Sequence, residues 1–402
     1  MNSTIQFDEL RKYIDIPRAA ETLLGKPEKE IHFSLNLKTS DETIIEGDCY
    51  VVYDNTVRGA AKGGVRLSPG VTLGEVRRLA ELMTLKTALA GVPFGGGKSG
   101  IALDPEGISS FERVAVFKEY VHLLKDELEH RSYIPAPDLG SGATDMAVIF
   151  GETHIPESVT GKPVSIGGLS GRLEATGRGV SHAALLALDR ILGLKREDTT
   201  AAVQGFGNVG SHTANFLAEA GVTVVAASDV TGGTYSPEGL DIAGLCEHVE
   251  DTGGVASFPG GDGLTNAELL ALDVDILLPC ALEDVLTQDN AEAVSASLIV
   301  EGANAPTTVE ADRILDARKI PVVPDVLANS GGVIASYVEW HKAKSGSLTT
   351  AEETFKLVDG RISNAFDRMM GTMREQDCTG RRACDIISVS ELLEAMRERN
   401  WT

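Results

Sequence analysis

Three lysines and one aspartate occupy settings that a merely solvated side chain does not need. Lys62 lies in KGGVR, Lys86 in MTLK, Lys98 in PFGGGKSG and Asp138 in PAPDLG. The lysines are expected at glycine-rich turns or a helix end, and Asp138 in a rigid turn before Gly140. A lysine ammonium titrates at roughly pH 10.4 when solvated, but burial beside other positive charges lowers that value. Lys98 in a closed cleft beside Lys86 would then serve as a base near neutral pH, with the Asp138 carboxyl as a proton shuttle. Such a pair suits oxidation of an amino acid at its α-carbon, where water attacks an imine and protons move to and from nitrogen. GGGKS also suggests a phosphate-binding loop. That motif needs glycine where Val92 stands, and a strand rather than a helix before it, so the suggestion fails.

A second constellation follows the apolar run TTAAVQ at 199–204. GFGNVG places Gly205, Phe206, Gly207, Asn208, Val209 and Gly210 between a strand and a helix expected over 208–220. Gly205 permits the tight turn, Gly207 lets the backbone approach a diphosphate, and Gly210 allows close helix–strand packing. The helix N-terminus would stabilise the anion. The next strand ends at Asp229, whose carboxylate would accept from a ribose 2′-hydroxyl and repel a 2′-phosphate. A nicotinamide dinucleotide is expected, NAD or NADP, with NAD slightly favoured. The plainer reading of Asp229 is a turn residue before Gly232–Gly233.

The elements that must position these groups fall into two kinds. Residues 30–53 alternate as strands do, through Ile31, Phe33, Leu35 and Leu37, with a polar turn at Thr39–Glu42. Helical spacing follows at 72–90 and 110–129, and YIPAPDLGSG at 133–142 reads as a loop. Beyond residue 195 short apolar runs at 199–204, 222–228, 273–279, 297–302 and 320–323 alternate with helical patterns. Continuous runs of this kind mark strands buried on both faces, hence a parallel, doubly wound sheet. Helices at 329–344, 351–376 and 388–399 come after the sheet and are expected to pack on the first domain. The fold class is α/β in two domains. Residues 1–165 plus 335–402 form a substrate-binding and oligomerisation domain, and 166–334 a Rossmann-type dinucleotide-binding domain.

Composition narrows the partners. The 402 residues carry a formal net charge of −23, which argues against nucleic-acid backbones. No apolar run reaches membrane-spanning length, and the opening MNSTIQFDEL has neither the basic nor the apolar segment of a secretory signal. Five dispersed cysteines, at 49, 246, 280, 378 and 384, form no CxxC pair and read as reduced thiols in a cytoplasmic protein; Cys280 is expected to be buried packing. The eight histidines show no zinc-type spacing, so no metal is expected.

The segments KGGVR, MTLKTA, PFGGGKSG, PAPDLGSG, GRLEATGRG, GFGNVG, EGANAPT and PDVLANSGGVIASYVEW run in order from residue 62 to 340. Together they resemble the glutamate dehydrogenases of the glutamate/leucine/phenylalanine/valine dehydrogenase superfamily. The resemblance implies Lys98 as the catalytic lysine, Asp138 as the proton shuttle, and Lys86 as partner of the substrate α-carboxylate. It implies that Lys62 and Ser336 hold the side-chain carboxylate, with Gly63, Met83, Ala136, Arg172 and Val333 lining the pocket. Thr176, Asn208, Asn304 and Asn329 would contact the nicotinamide and its ribose. It further implies L-glutamate, 2-oxoglutarate and ammonium as reactants, a homohexamer, and a cleft that closes between domains. Relatives acting on branched-chain or aromatic amino acids share Lys86, Lys98 and Asp138 but, by resemblance, lack the Lys62–Ser336 pair. A buried cation would be left unpaired by leucine, which favours glutamate. Another L-amino acid, or a catalytically silent subunit of a mixed hexamer, are the alternatives. Ser99 departs from the glycine common after the catalytic lysine. An excess of carboxylates around a site that binds anions suggests a salt-adapted, halophilic enzyme.

Overall fold

The computed structural model describes residues 5–38 and 44–402; the polar turn expected at Thr39–Glu42 lies outside the described residues. The chain divides into two compact units. The first comprises Met1–Arg172, Val333–Thr354 and Asp385–Thr402, the second Leu173–Gly332 and Phe355–Cys384.

In the first unit the chain runs α1 (Phe7–Leu10), α2 (Arg18–Leu24), β1 (Lys29–Lys38), β2 (Ile44–Asn55), β3 (Ala61–Leu67) and α3 (Leu73–Leu89). It continues through β4 (Gly95–Ile101), α4 (Ser110–Leu123), α5 (Lys125–Glu129), β5 (Tyr133–Pro137) and α6 (Ala143–Thr153). The sheet order is β1-β2-β4-β3-β5, antiparallel across β1, β2 and β4 and parallel from β4 through β3 to β5. Alternation along β1 turns Ile31, Phe33, Leu35 and Leu37 toward a core shared with Val116, Phe117 and Tyr120 of α4 and Ile149 of α6. The other face packs Val52 against Val71 and against Val76 and Ala80 of α3. Thr72 caps α3 by accepting from the Glu75 amide, and a Ser109–Glu112 capping box starts α4. Leu124 leaves helical geometry, so the single helix expected over 110–129 is two, α4 and α5.

Two expectations are corrected here. The glycine-rich segments around Lys62 and Lys98 are not turns but the strands β3 and β4, and the first half of the 133–142 loop is β5. The physical reason is close approach. A Cβ added at Gly96 would lie 2.0 Å from Thr84 Oγ1 and 2.6 Å from the Ala80 carbonyl oxygen, so α3 rests directly on the β4 backbone. A Gly96→Ala variant should overpack this contact at a cost of about 1–3 kcal/mol. Thermal melts should show a lower midpoint than wild type; an unchanged midpoint would contradict the contact.

The second unit begins with α7 (Ala175–Ala187), β6 (Thr200–Gln204), α8 (Asn208–Glu219), β7 (Thr223–Asp229), β8 (Gly232–Tyr235) and α9 (Ile242–Thr252). β9 (Asp262–Leu264), α10 (Asn266–Leu270), β10 (Ile276–Pro279), β11 (Leu298–Val300), α11 (Val309–Ala317), β12 (Val322–Val323) and α12 (Asp325–Ala328) follow. Strand order is β12-β11-β10-β6-β7-β8-β9, parallel from β12 to β7. The antiparallel edge strands β8 and β9 are too short and polar to stand out as buried runs. Connections leave β6 toward β7 on one side while β10 lies on the other, which makes the carboxyl end of β6 the switch point where such sheets bind ligands.

The last helices are α13 (Gly331–Ser345), α14 (Ala351–Gln376) and α15 (Gly380–Glu398); α15 begins a full two turns before the expected 388. They were assigned together to the first unit, but residues 355–384 pack in the second. Asp359 takes a bidentate pair from Arg178 of α7, at 2.9 and 2.5 Å, and the Arg178 guanidinium lies over the rings of Phe216 and Phe355. Arg381 likewise grips the fully buried Glu301 at 2.6 and 3.1 Å. Charge pairing, invisible to apolar periodicity, draws these helices in. All five cysteines are free thiols, and burial pushes Cys280 up to about 12. Among the described residues no helix is long and apolar enough to cross a membrane.

Candidate active site

Strand alternation decides where the functional side chains of the first unit point. On β4, Gly96 and Gly100 face α3, so Lys98 between them does too. On β3, Lys62 and Arg66 share a face, and Arg66 reaches Glu75 in the first turn of α3. Lys98 Nζ donates to Asp138 Oδ1 at 2.8 Å, and Arg66 Nε donates to Asp138 Oδ2 at 2.9 Å. The aspartate follows directly on β5. Its own amide donates to Ser141 Oγ, which in turn donates to the Val65 carbonyl at 2.6 Å, tying the loop back to β3. Burial alone would raise the Asp138 carboxyl, but Lys98 and Arg66 outweigh it and hold it below the usual carboxylate range.

Lys98 is only 4% exposed. Its hydrogen-bond partner is a carboxylate, and Lys86 lies buried in the last turn of α3. Ser99 points to the opposite face, where its Oγ meets the Tyr120 hydroxyl at 2.9 Å, so the departure from glycine is absorbed in the core. Arg66 is a residue that sequence reasoning missed. Its signal was present, since Lys62, Gly64 and Arg66 stand at strand spacing. Removing one of its two cations lets Asp138 hold a proton to higher pH. In an Arg66→Gln variant the acid limb of the pH–rate profile should therefore move upward in pH, and an unmoved limb would contradict the assignment.

Lys62 presents a different environment. It is 1% exposed, and among the described residues no hydrogen-bond or ion-pair partner reaches it. Burial, reinforced by the nearby charge of Arg172, holds it well below the ordinary lysine value. Burial lowers Arg172 as well, and its Nε is sealed from solvent without a partner. Glu339 is the carboxylate that opposes both effects. Its oxygens are already occupied, however, by Lys162 Nζ at 2.9 Å and by the amides of Gly161 and Lys162. Ser336 lies one turn before Glu339 on α13 and is buried, as are Gly63, Ala136 and Val333; Met83 on α3 is half-buried.

In the second unit the fingerprint has the shape a diphosphate needs. Gly205 has φ +93°, and a Cβ there would meet Ala281. A Cβ at Gly210 would lie 1.8 Å from the Gly205 carbonyl oxygen, whereas Gly207 faces open space. No side chain caps the N-terminus of α8, so its first amides remain available to an anion. Phe206 is buried and packs, while Val209 is half-buried. Asn208 donates to the Leu173 carbonyl, and Thr176 sits in the first turn of α7. Asn329 donates to the carbonyls of Gly302 and Ala303 and to Asn304 Oδ1 at 3.0 Å, gathering the loop after β11. Asp229 is first a turn residue. It accepts from the Thr231 amide and hydroxyl and from the Val255 amide, which leaves its charge, but only part of its hydrogen-bonding capacity, at the end of β7.

The glutamate/leucine/phenylalanine/valine dehydrogenase model matches residues 167–400, and the dimerisation-domain model of the same dehydrogenases matches 27–155. The chain belongs to this family. It is 41% identical to glutamate dehydrogenase A2 of Halobacterium salinarum over 92% of this chain and 90% of that one. It is 40% identical to the NADP-specific glutamate dehydrogenase of Saccharolobus shibatae over 94% and 90%. The solved hetero-hexameric glutamate dehydrogenase of Thermus thermophilus, in its Leu-bound form, superposes with a TM-score of 0.92 at 34% identity, covering 98% of this chain and 94% of that one. Within this family frame Lys162 and Glu339 are further residues the sequence reading passed over. A lysine before proline and a glutamate inside an apolar helix carry no spacing that announces a pair 177 residues apart.

Proposed function

We propose that the enzyme catalyses reversible oxidative deamination of L-glutamate to 2-oxoglutarate and ammonium with NAD(P). The observation that carries this reading is the unpaired Lys62–Arg172 charge in the same unit as the Lys98–Asp138 pair. The buried Lys62 and an arginine whose Nε is sealed from solvent, with no ion-pair partner among the described residues, call for an anionic ligand group, and a side-chain carboxylate supplies it. Lys62, Arg172 and Ser336 hold that carboxylate; Lys86 holds the α-carboxylate. Lys98 Nζ activates the water that attacks the substrate imine carbon, and Asp138 Oδ1 carries protons to and from the substrate nitrogen. The 205–210 loop, the N-terminus of α8, Thr176, Asn304 and Asn329 would hold the dinucleotide, which would supply the acceptor for the α-hydrogen. For each glutamate oxidised, one water is consumed, and ammonium, one reduced dinucleotide and one proton are released.

The Asp229 charge supports NAD over NADP. The dimerisation-domain match supports a self-assembling protein, for which we propose a homohexamer. Free cysteines support a cytoplasmic location, and the net charge of −23 supports adaptation to high salt. One assay tests these readings: purified protein with 2-oxoglutarate, ammonium and NADH or NADPH, followed by absorbance from low to molar KCl. Glutamate-forming oxidation, faster with NADH and rising with salt, is expected. No oxidation of either cofactor at any salt would overturn the activity. A hexamer that persists at about 0.05 M KCl, where the screening length exceeds 10 Å, would overturn the salt adaptation.

A further inference from the structure

Three further cations of the first unit, Arg172, Lys162 and Lys98, act electrostatically on the buried Lys62. Two carboxylates answer them. Asp138 is committed to Lys98 and Arg66, and Glu339 to Lys162. The charge count therefore leaves Lys62 and Arg172 unanswered only because Lys162 holds Glu339.

The hold is unusually complete. Lys162 Nζ and Glu339 are 1% and 0% exposed in their side chains. The Lys162 ammonium donates to Glu339 Oε1 and to the carbonyls of Pro156 and Val159 at 2.8 and 2.7 Å, so all three of its protons are used. Glu339 Oε2 accepts from the Gly161 amide at 2.8 Å. The 159–162 segment is itself pinned to β5, since the Thr160 amide donates to Pro135 and the Gly161 α-carbon abuts the Pro137 ring. β5 pairs with β3 in a register that sets Lys62 opposite Ile134 and Gly63 opposite Pro135. Glu339 also lies three residues past Ser336 on α13, hence on the same helical face.

Resting on the reading of Lys62 and Arg172 as the side-chain-carboxylate site, we propose that Lys162 is a positioning residue for substrate specificity. It sequesters Glu339, an internal carboxylate that would otherwise compete with the substrate's own for Lys62 and Arg172. Glutamate is thus admitted because the protein's nearest rival anion is restrained, as well as because two cations attract it.

Lys162→Met releases Glu339. We expect the KM values for glutamate and 2-oxoglutarate to rise roughly tenfold or more, as for a disrupted buried charge pair. The KM for the dinucleotide should stay unchanged. Norvaline, an amino acid of the same chain length without the side-chain carboxylate, should show no comparable rise. Adding Glu339→Gln to Lys162→Met removes the competing charge and should return the glutamate KM toward wild type. A merely structural pair would behave otherwise, because the double variant would be no better than the single and norvaline would suffer equally. A folded Lys162→Met enzyme with unaltered glutamate KM, or a double variant that fails to recover, overturns the proposal. If the single variant does not fold, Lys162→Arg keeps the charge but cannot reproduce the three ammonium contacts. It should raise the glutamate KM less steeply and leave norvaline unaffected, and an unaltered glutamate KM in it overturns the proposal. Wild-type protein that does not turn over glutamate would instead overturn the activity on which the proposal rests, so the two failures are told apart.

Discussion

Asp138→Asn should lower kcat for glutamate oxidation by about 10²–10⁴-fold, the range general acid–base groups contribute, with little change in dinucleotide affinity. The carboxylate Oδ1 accepts from Lys98 Nζ at 2.8 Å, and an amide in its place can neither carry a proton nor answer the lysine's charge. Lys98→Ala should lose activity on the same scale. The two groups act as one unit, so the double variant should be barely slower than the worse single variant. Multiplying losses would mean that the two groups act independently. The pH profile provides a second reading. The Lys98 and Arg66 charges keep Asp138 ionised below the ordinary carboxylate range, so loss of the Asp138 charge should add to the acid limb only beneath that range.

Lys62→Leu carries the second large effect. The Lys62 side chain is 1% exposed and has no partner among the described residues, so on the proposed reading its replacement removes the charge that would meet a side-chain carboxylate. Loss of one member of a buried charge pair costs about 2–5 kcal/mol. We therefore expect kcat/KM for glutamate to fall roughly thirty- to several-thousandfold, while that for leucine or norleucine rises. Stability should move the other way. An unpaired buried cation is a burden on the folded state, and an apolar side chain relieves it by more than the small cavity left by the shorter leucine costs. A thermal midpoint at or above wild type, together with lost glutamate turnover, is the expected pairing. Undiminished glutamate turnover would remove Lys62 from its assigned role.

Much of the second unit was legible in the sequence because its strands are buried on both faces. β6, β7, β10, β11 and β12 each fall inside an apolar run, and GFGNVG sits at the strand–helix junction its spacing requires. The first unit was harder to read. β3, β4 and β5 are built from AKGGVRL, GGGKSGI and YIPAP, and their glycines and prolines are the usual marks of turns. What makes them strands is tertiary: α3 presses on β4 too closely for side chains. The lysines and the aspartate were legible as chemistry, but their partners were not. Arg66, Glu339 and Lys162 act through pairings 72 and 177 residues apart, which no local pattern encodes. The path of α14 was misread for the same reason, since the Arg178–Asp359 pair decides its company.

The glycine-rich backbone of β4 bears on how this catalyst can change. Gly95, Gly96 and Gly97 each lie within 3 Å of atoms that a new Cβ would strike, and Gly63 is just as confined against Gly97. Random mutagenesis at these glycines should return mostly inactive or unstable clones, however permissive the screen. On the proposed reading of the pocket, variation in substrate range would enter from other elements: Met83 on α3, Ala136 on β5, and Val333 and Ser336 on α13. The strand bearing Lys98 would then act as a fixed template, with substrate range rewritten from its margins. A library confined to those four positions, with β4 left untouched, is the economical route to new amino-acid dehydrogenases on this scaffold.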